Sequence, residues 1–184
     1  MRKKLLFLLL VPILVLTLTA CDKKEETKKE TKDDKKSIVL EDNGFGYKTT
    51  FKYDKNEKFT EPEEETGGRS TQITFNNKDM NLEFEMYYTD MYSKSYDTTK
   101  EIRSKQKYYK EYTFGKYQAY VYGEYDTGLN MNILLETDKD EDKAKILFVA
   151  IDKMDINKEK SVSEIVEEQE VQDFFNSITF EKIK

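Results

Sequence analysis

The sequence has no histidine, no tryptophan, one cysteine and two prolines among its 184 residues. Without an imidazole, a serine or cysteine nucleophile cannot be activated by the usual histidine base. A zinc site built from Cys and His cannot form either, and one cysteine cannot make an intrachain disulfide. These absences exclude most hydrolytic and zinc-dependent mechanisms and leave lysines and carboxylates as candidate catalytic groups.

Other catalytic and ligand-binding motifs are missing as well. Ser161 begins a Ser-x-x-Glu run rather than the Ser-x-x-Lys of lysine-activated serines, and the Gly-Phe-Gly run at 44–46 precedes a predicted strand instead of a phosphate-binding helix. The alternating acids at 138–142 resemble the start of a calcium loop. That loop needs Gly where Lys143 stands and Glu where Val149 stands. We therefore predict no catalytic residue, no metal and no cofactor.

The first 20 residues have the composition of a signal peptide. Basic residues at 2–4 precede an apolar run at 5–16, which is shorter than the roughly 20 residues of a transmembrane helix. The segment ends Leu-Thr-Ala-Cys at 18–21, which resembles the lipobox of bacterial lipoproteins. The resemblance implies cleavage between Ala20 and Cys21 and attachment of diacylglycerol to Cys21. An ordinary secretory signal or a helical anchor with a chance cysteine is the alternative.

The lipidated Cys21 is followed by a charged tether that ends at residue 36. Residues 22–36 contain seven lysines, six acids and no large apolar side chain, so nothing in them can offset the entropy of ordering. We predict a disordered spacer, with a short solvated helix as the alternative. Two acyl chains suffice for stable anchoring. We therefore expect the chain to be held by membrane lipid on the extracytoplasmic side of the cell membrane, which is the cell surface in a Gram-positive bacterium.

The part of the chain beyond the tether is strongly acidic. Removing the three cations of the signal peptide takes the formal charge from −6 to −9, and removing the surplus lysine of the tether takes it to −10 for residues 37–184. Nucleic-acid binding needs a basic face, so we expect no nucleic-acid partner. An acidic body is repelled by anionic headgroups but attracts a cationic partner.

Residues 37–184 have the pattern of one α+β domain. Apolar and polar residues alternate in several stretches, which predicts half-buried strands. The run 146–151 is apolar on both faces and is expected at the centre of the sheet. The predicted strands are 46–53, a hairpin from 73 to 88 with its turn at 76–79, 108–114, 117–125, 129–136, 146–151 and 178–180.

Two helices complete the predicted domain. One is expected over about 97–107, where Thr98 and Glu101 have the spacing of a capping box. The other is expected over 161–177. Residues 54–70 contain Pro62, an acidic run and a Gly pair, which predicts a mobile loop. The expected fold is a curved antiparallel sheet of about seven strands with two or three packed helices.

Two segments resemble the Mog1/PsbP-like α/β/α sandwich family. The run 111–120 (EYTFGKYQAY) is similar to that family's hairpin of strand, Gly turn, small residue and aromatic. The run 171–180 (VQDFFNSITF) is similar to its terminal helix, Ser-Ile and strand. The resemblance covers about 45–182 and implies a fold, without implying any site residue. A lipocalin-like or other small β-barrel is the rival fold because the strand content is high.

Aromatic residues are abundant, with 13 Tyr and 11 Phe. Four tyrosines fall in one predicted strand: Tyr117, Tyr120, Tyr122 and Tyr125. Cross-strand pairs are expected with the preceding strand through Tyr108, Tyr109 and Tyr112. Period two puts Tyr120 and Tyr122 on one face and the small residues 119, 121 and 123 on the other. In one interpretation helices cover the small face and the Tyr rings shield the other. In the second, the four tyrosines form a binding surface for peptide, glycan or protein.

Two functions fit these observations. The first is a non-enzymatic surface lipoprotein that binds a partner near the cell envelope, and its sharper version is an immunity or exclusion lipoprotein that intercepts a cationic toxin. The second is a cell-envelope enzyme or enzyme accessory that acts on glycans through two carboxylates about 5–10 Å apart in a cleft. A deep pocket with converging carboxylates would favour the enzyme, and a flat or tyrosine-lined groove would favour the binding protein.

Overall fold

The computed structural model describes residues 35–54, 58–67, 70–123 and 126–183. The predicted signal peptide, Cys21, most of the tether and Tyr125 lie outside the described residues. Within them the chain forms ten strands and three helices, in the order β1 Lys35–Asp42, β2 Tyr47–Asp54, β3 Glu63–Gly67, β4 Ser70–Asn77, β5 Leu82–Tyr92, α1 Ser93–Arg103, β6 Tyr108–Phe114, β7 Tyr117–Gly123, β8 Gly128–Asp138, β9 Lys143–Lys153, α2 Val162–Val166, α3 Gln169–Asn176 and β10 Thr179–Lys182.

Seven of these strands form one antiparallel sheet with the spatial order β3-β4-β5-β9-β8-β7-β6. Strand β9 lies at its centre, as its apolar sequence predicted, and buries Leu147 and Val149 on one face and Ile146 on the other. A sheet of seven antiparallel strands with three helices is thus confirmed. Within the described residues β3 and β6 stand at the two edges and do not pair with each other, so the sheet is open rather than a closed barrel.

A second sheet of three strands, β1-β2-β10, was not predicted. Strand β2 lies in its middle and pairs antiparallel with β1 on one side and β10 on the other. Strand β1 begins at Lys35, two residues before the expected start of the domain, because Lys35 and Lys36 pair with Asp54 and Tyr53. The strands expected at 46–53 and 178–180 therefore exist, but they belong to the small sheet.

The main core lies between one face of the large sheet, here called the inner face, and the layer formed by the small sheet with α2 and α3. Alternate residues of β5 are buried there: Leu82, Phe84, Met86 and Tyr88. The ring of Phe174 in α3 lies 5.2 Å from the rings of Phe51 in β2 and Phe84 in β5. Aromatic burial of this kind is the largest apolar contribution a side chain makes, so Phe174 joins all three elements.

The opposite side of the large sheet, the outer face, is covered only in part. Helix α1 starts directly after β5 and lies over the end of the sheet where β5 ends. Its Tyr96 packs edge-on against Tyr120 of β7 at 5.6 Å and contacts a small cluster with Ala144 and Ile146 of β9. Beyond α1, the outer face carries partly exposed side chains such as Tyr87 and Phe148. The fold therefore has one open sheet surface.

The predicted mobile loop at 54–70 contains a strand. Residues 63–67 pair antiparallel with Ser70–Thr74 of β4 as β3. The sequence Glu-Glu-Glu-Thr-Gly has few strand-forming residues, but its pairing with β4 satisfies its backbone groups along one edge. The prediction was wrong because hairpin pairing outweighed local propensity.

Both predicted helices have different bounds from those expected. Helix α1 begins at Ser93 after an N-cap at Tyr92 that makes no side-chain cap, so Thr98 lies inside the helix and its predicted capping box does not form. The second predicted helix is two helices, α2 and α3, and the N-cap of α2 is Ser161 in a capping box with Glu164. The break between α2 and α3 allows both to bury apolar residues on the inner face.

Candidate functional site

The predicted tyrosine surface is not one surface in the structure. In β7, Tyr120 and Tyr122 face the outer side, whereas Tyr117 faces the inner side and packs against Phe180 at 4.6 Å. Tyr120 is fully buried and Tyr122 is 7% exposed. Tyr125 lies outside the described residues. The described tyrosines therefore do not form one surface, because period two separates Tyr117 from the others and α1 covers Tyr120, whereas Tyr122 lines a cleft.

The buried tyrosines instead form a satisfied polar cluster beneath α1. Asn132 of β8 donates hydrogen bonds from Nδ2 to the hydroxyl of Tyr120 at 3.0 Å and to that of Tyr122 at 3.4 Å. Tyr109 lies directly opposite Tyr122 in the ladder, which confirms one predicted cross-strand pair. Burial raises the pKa of Tyr120 to about 12, and the bond to Asn132 partly opposes this rise. The Tyr120 hydroxyl therefore stays protonated at neutral pH and serves the packing beneath α1.

Beside this cluster, a cleft of about 410 Å³ opens on the outer face at the C-terminal end of α1. Its volume lies in the range of sites that hold a small molecule or a few residues of a peptide. The end of α1 and the strands β7, β8 and β9 supply its lining, which consists of Arg103, Gln106, Tyr122, Gly123, Gly128, Asn130 and Phe148. The cleft therefore combines two aromatic rings with several polar groups.

Arg103 is the cation of the cleft. Its guanidinium carbon lies 5.0 Å from the centroid of the Tyr122 ring, a cation–π contact. Among the described residues, Nε of Arg103 is enclosed without an acceptor, and Oε1 of Gln106 is enclosed without a donor. An unpaired enclosed polar atom costs about 1–3 kcal/mol. Within the described residues the guanidinium of Arg103 is thus positioned by packing on Tyr122 and makes no ion pair.

Asp152 of β9 stands at the rim of the cleft, beside the lining residue Gly128. It lies directly across the ladder from Gly128, and a Cβ on Gly128 would stand 2.5 Å from Oδ1 of Asp152. The carboxylate therefore occupies the space that a side chain at Gly128 would fill. Partial burial raises the pKa of Asp152 above its ordinary range. Burial is the only cause of this rise, and no cation in the described part of the chain pairs with the carboxylate.

The open surface next to the cleft is acidic, with an aromatic centre. Tyr87 and Phe148 lie directly opposite each other in β5 and β9, with ring centroids 5.0 Å apart. Acids from β3, β5 and β9 share their side of the sheet by register, and together with these two rings they are here called the acidic face: Glu63, Glu65, Glu83, Glu85 and Asp152. In this region the outward residues of β3, β4, β5 and β9 include no Lys or Arg.

The pKa of the Tyr87 hydroxyl responds to the acidic side chains beside it. Partial burial of its ring raises the pKa of its hydroxyl, and the negative charge of Glu85 raises that pKa further. Glu85 in turn lies opposite Ala150, and Glu83 lies opposite Asp152. Ala150 lies between Glu85 and Asn130 in the ladder, and its small side chain does not separate the acids from the cleft. The acidic face and the cleft are therefore one surface.

The acids that resembled a calcium loop cap a turn instead. Oδ1 of Asp138 accepts hydrogen bonds from the backbone N–H of Asp140 and Glu141 at 2.9 and 3.1 Å. Glu141 also pairs with Lys143 at 2.6 Å. Where the chain is described, no three Asp, Glu, Cys or His side chains lie close enough together to hold a metal ion. These carboxylates serve the tight connection between β8 and β9.

Apart from Tyr122, the cleft residues were not predicted as a site, although two signals pointed to Arg103 and Asp152. Only three of the 31 basic residues are arginines, and arginine is the side chain best suited to bind a carboxylate or phosphate. Asp152 follows a long apolar run and shares the face of Phe148 and Ala150 by period two. What could not be predicted was that α1 ends above this part of the sheet.

Comparison of the chain with protein-family models, with curated proteins and with solved structures finds no match. None of the helices described here is both long and apolar enough to cross a membrane. The described structure therefore defines a mostly β, α+β domain with a partly covered antiparallel sheet, and its candidate site is the acidic face with the adjoining cleft.

Proposed function

We propose that this protein is a non-enzymatic lipoprotein that captures a cationic peptide on the acidic face of its extracytoplasmic domain. The observation that carries the proposal is the acidic face itself. Five carboxylates surround the Tyr87–Phe148 pair on an open sheet surface that has no basic side chain in its described strands. A surface of this kind complements a partner that combines lysine or arginine with apolar side chains.

The physical contributions to such binding are distinct. The formal charge of −10 over residues 37–184 raises the rate at which a cation encounters the domain, and this effect weakens as salt is added. The rings of Tyr87 and Phe148 supply apolar contact area at low entropic cost and accept cation–π contacts. Charge thus provides attraction and orientation, while the ring pair provides the central anchor that interfaces need.

The location proposed for this capture rests on the N-terminal sequence. A lipid on Cys21 would hold the domain near the membrane through a charged tether, and the acidic body would avoid the anionic headgroups. A cationic toxin that approaches the same membrane would be attracted by the acidic face. This attraction supports the immunity or exclusion role as the particular form of the proposal.

The finer fold assignment is part of this proposal. The layer order of α1, large sheet, and small sheet with α2 and α3 supports the resemblance to the Mog1/PsbP-like sandwich, with a strand-containing layer in place of a purely helical one.

The glycan enzyme has less support. One carboxylate, Asp152, stands beside the cleft, and the other acids lie on an open sheet surface, so two carboxylates of the described chain do not converge in it.

The test is the affinity of the full-length lipoprotein for a fluorescent peptide of alternating lysine and leucine. The protein is held in nanodiscs of uncharged phosphatidylcholine, so that the peptide is not attracted to the lipid. The triple variant Glu83→Gln, Glu85→Gln, Asp152→Asn is compared with Glu159→Gln, Glu170→Gln, Glu181→Gln. Each variant loses three negative charges, all of them exposed except the half-buried Glu85, but only the first variant loses them from the acidic face.

We expect the acidic-face variant to bind at least about tenfold more weakly, because three charge contacts of roughly 0.5 kcal/mol each are lost. The control variant should bind within about threefold of the wild type, since distant exposed charges act only through the screened field. Equal losses of affinity in both variants would show that only the net charge matters and would overturn the assignment of binding to the acidic face. An absence of peptide binding to the wild-type protein would overturn the proposal.

A further inference from the structure

The cleft at the end of α1 has the opposite charge to the surface around it. Arg103 is a lone cation beside the acidic face, and no carboxylate in the described part of the chain neutralises it. A purely cationic ligand would be repelled at this point. The arrangement of charges therefore requires a ligand with one negative group at its end and positive groups along its length.

We propose that the cleft binds the free C-terminal carboxylate of the captured peptide, with Arg103 as its cationic partner. This inference rests on the proposed function and names the part of the ligand that enters the cleft. The planar guanidinium forms paired hydrogen bonds with a carboxylate, and its stacking on Tyr122 at 5.0 Å holds its plane in place. Gln106 and Asn130 line the cleft beside the guanidinium as neutral polar groups.

The rest of the cleft fits the end of a peptide chain. The rings of Phe148 and Tyr122 line its walls and pack against an apolar terminal side chain. Asp152, which stands over Gly128 at the rim, receives the cationic side chain of a residue just before the terminus. Asn130, Ala150 and Glu85 lie side by side on three adjacent strands, which are about 4.8 Å apart. The distance from Asn130 to Glu85 across the sheet is therefore spanned by about three residues of extended peptide.

The surrounding charges favour a carboxylate over a phosphate. Among the described residues that line the cleft, Arg103 is the one charged group, and the polar side chains of Gln106 and Asn130 are neutral. Asp152 stands at the rim, and Glu85 is one strand further away. A dianionic phosphate would meet two negative charges for each positive one, whereas a single carboxylate is matched by Arg103 alone. The cleft is therefore suited to a monoanion at the end of a cationic chain.

The experiment compares two forms of one peptide in the nanodisc binding assay. The peptide alternates lysine and leucine and ends in phenylalanine, either as the free acid or as the carboxamide. Arg103→Gln removes the cation at similar length, and Lys94→Gln removes one exposed cation from the other end of α1 as the matched control. Circular dichroism and the urea midpoint verify that each variant is folded.

With the wild-type protein, the free acid should bind about tenfold more tightly than the carboxamide, as expected for one charge-assisted contact of roughly 1.5 kcal/mol. Arg103→Gln should abolish this preference and leave the carboxamide affinity within about threefold. Lys94→Gln should keep the preference. Equal binding of both peptides by the wild type would overturn the carboxylate inference and leave the proposed function standing, whereas binding of neither peptide would overturn the proposed function.

Competition by small anions distinguishes a carboxylate from a phosphate as the negative group that the cleft binds. At equal concentration, N-acetylphenylalanine should displace the free-acid peptide from the wild type and inorganic phosphate should not. Stronger displacement by phosphate would overturn the assignment of the cleft to a carboxylate and would indicate a phosphorylated ligand or a lipid headgroup.

Discussion

Asp152 lies directly across the β8–β9 ladder from Gly128, and its carboxylate fills the space that a side chain on Gly128 would take, 2.5 Å from the position of the missing Cβ. Gly128 matters because it has no side chain and so leaves space for the Asp152 carboxylate. The carboxylate thereby reaches the rim of a cleft whose lining includes Arg103. The pair therefore links the register of the sheet to the chemistry of the site.

Gly128→Ala should weaken binding of the lysine–leucine peptide about three- to tenfold. The new methyl group displaces only the flexible end of the Asp152 side chain, and alanine is favoured over glycine in a strand, so stability should change by less than about 1 kcal/mol. Peptide titration and urea denaturation measure the two effects. In an Asp152→Asn background, the same substitution should produce little further loss, and a full additional loss would show that the glycine acts by another route.

Asp152→Asn should leave stability unchanged or raise it at neutral pH. Partial burial raises the pKa of Asp152 in the folded protein, so the folded state binds this proton more tightly than the unfolded state does. The ionised carboxyl therefore disfavours the folded state. This penalty is absent below the ordinary pKa of 3.8, grows as pH rises through the folded-state pKa and persists above it.

The measurement for Asp152→Asn is the free energy of unfolding across the acid and neutral range. The difference from the wild type should vanish at the acid end, while peptide affinity at neutral pH should fall. A residue kept at a cost in stability but needed for binding is typical of a functional site. Marked destabilisation of the variant at neutral pH would contradict the prediction and indicate that the carboxylate has a structural partner.

Phe174→Ala should destabilise the domain by about 3–5 kcal/mol, because the ring is buried and its loss leaves a cavity where the small sheet, α3 and the large sheet meet. The ring lies 5.2 Å from each of the rings of Phe51, Phe59 and Phe84. Phe174→Leu should cost less than about 1.5 kcal/mol, since most of the volume remains. Urea denaturation distinguishes the two, and similar losses would show that the site collapses freely.

Ser161→Ala should cost about 1 kcal/mol by removing the N-cap of α2. The Ser161 hydroxyl accepts from the N–H of Glu164 at 3.3 Å, and the Glu164 carboxylate accepts from the N–H of Ser161 at 2.8 Å. Thr98→Ala is the matched control, because Thr98 has the sequence spacing of a capping box but lies within α1. It should change the urea-derived stability by a few tenths of a kcal/mol at most.

Cys21→Ala should abolish labelling of the protein by a radioactive fatty acid in the producing bacterium. The precursor should also stay uncut by the lipoprotein signal peptidase, because the variant lacks the cysteine that is proposed to carry the lipid. Lys23→Ala, two residues into the tether, should be labelled and processed normally. Lipid labelling of the cysteine-free variant would contradict the anchor.

Local patterns were enough to predict much of the fold. Period two located β2, β5, β6, β7 and β8 within a few residues, and the two-sided apolar run placed β9 at the centre of the sheet. These features depend on neighbours in sequence, which is why they could be read from it. The small sheet and β3 were missed, because their pairing depends on strands from distant parts of the chain or on residues with low strand propensity.

The sequence by itself determined the strand alternation, the negative charge of the domain, the absence of histidine chemistry and the expected anchor at Cys21. Only the tertiary structure decided which aromatic residues are accessible. Helix α1 packs over one end of the outer face and buries Tyr120, while Tyr87 and Phe148 stay on the open part. The same packing brings Arg103 of α1 to the sheet that carries Asp152. The two residues are distant in sequence, so only the packing of the elements decides that they share one region of the surface.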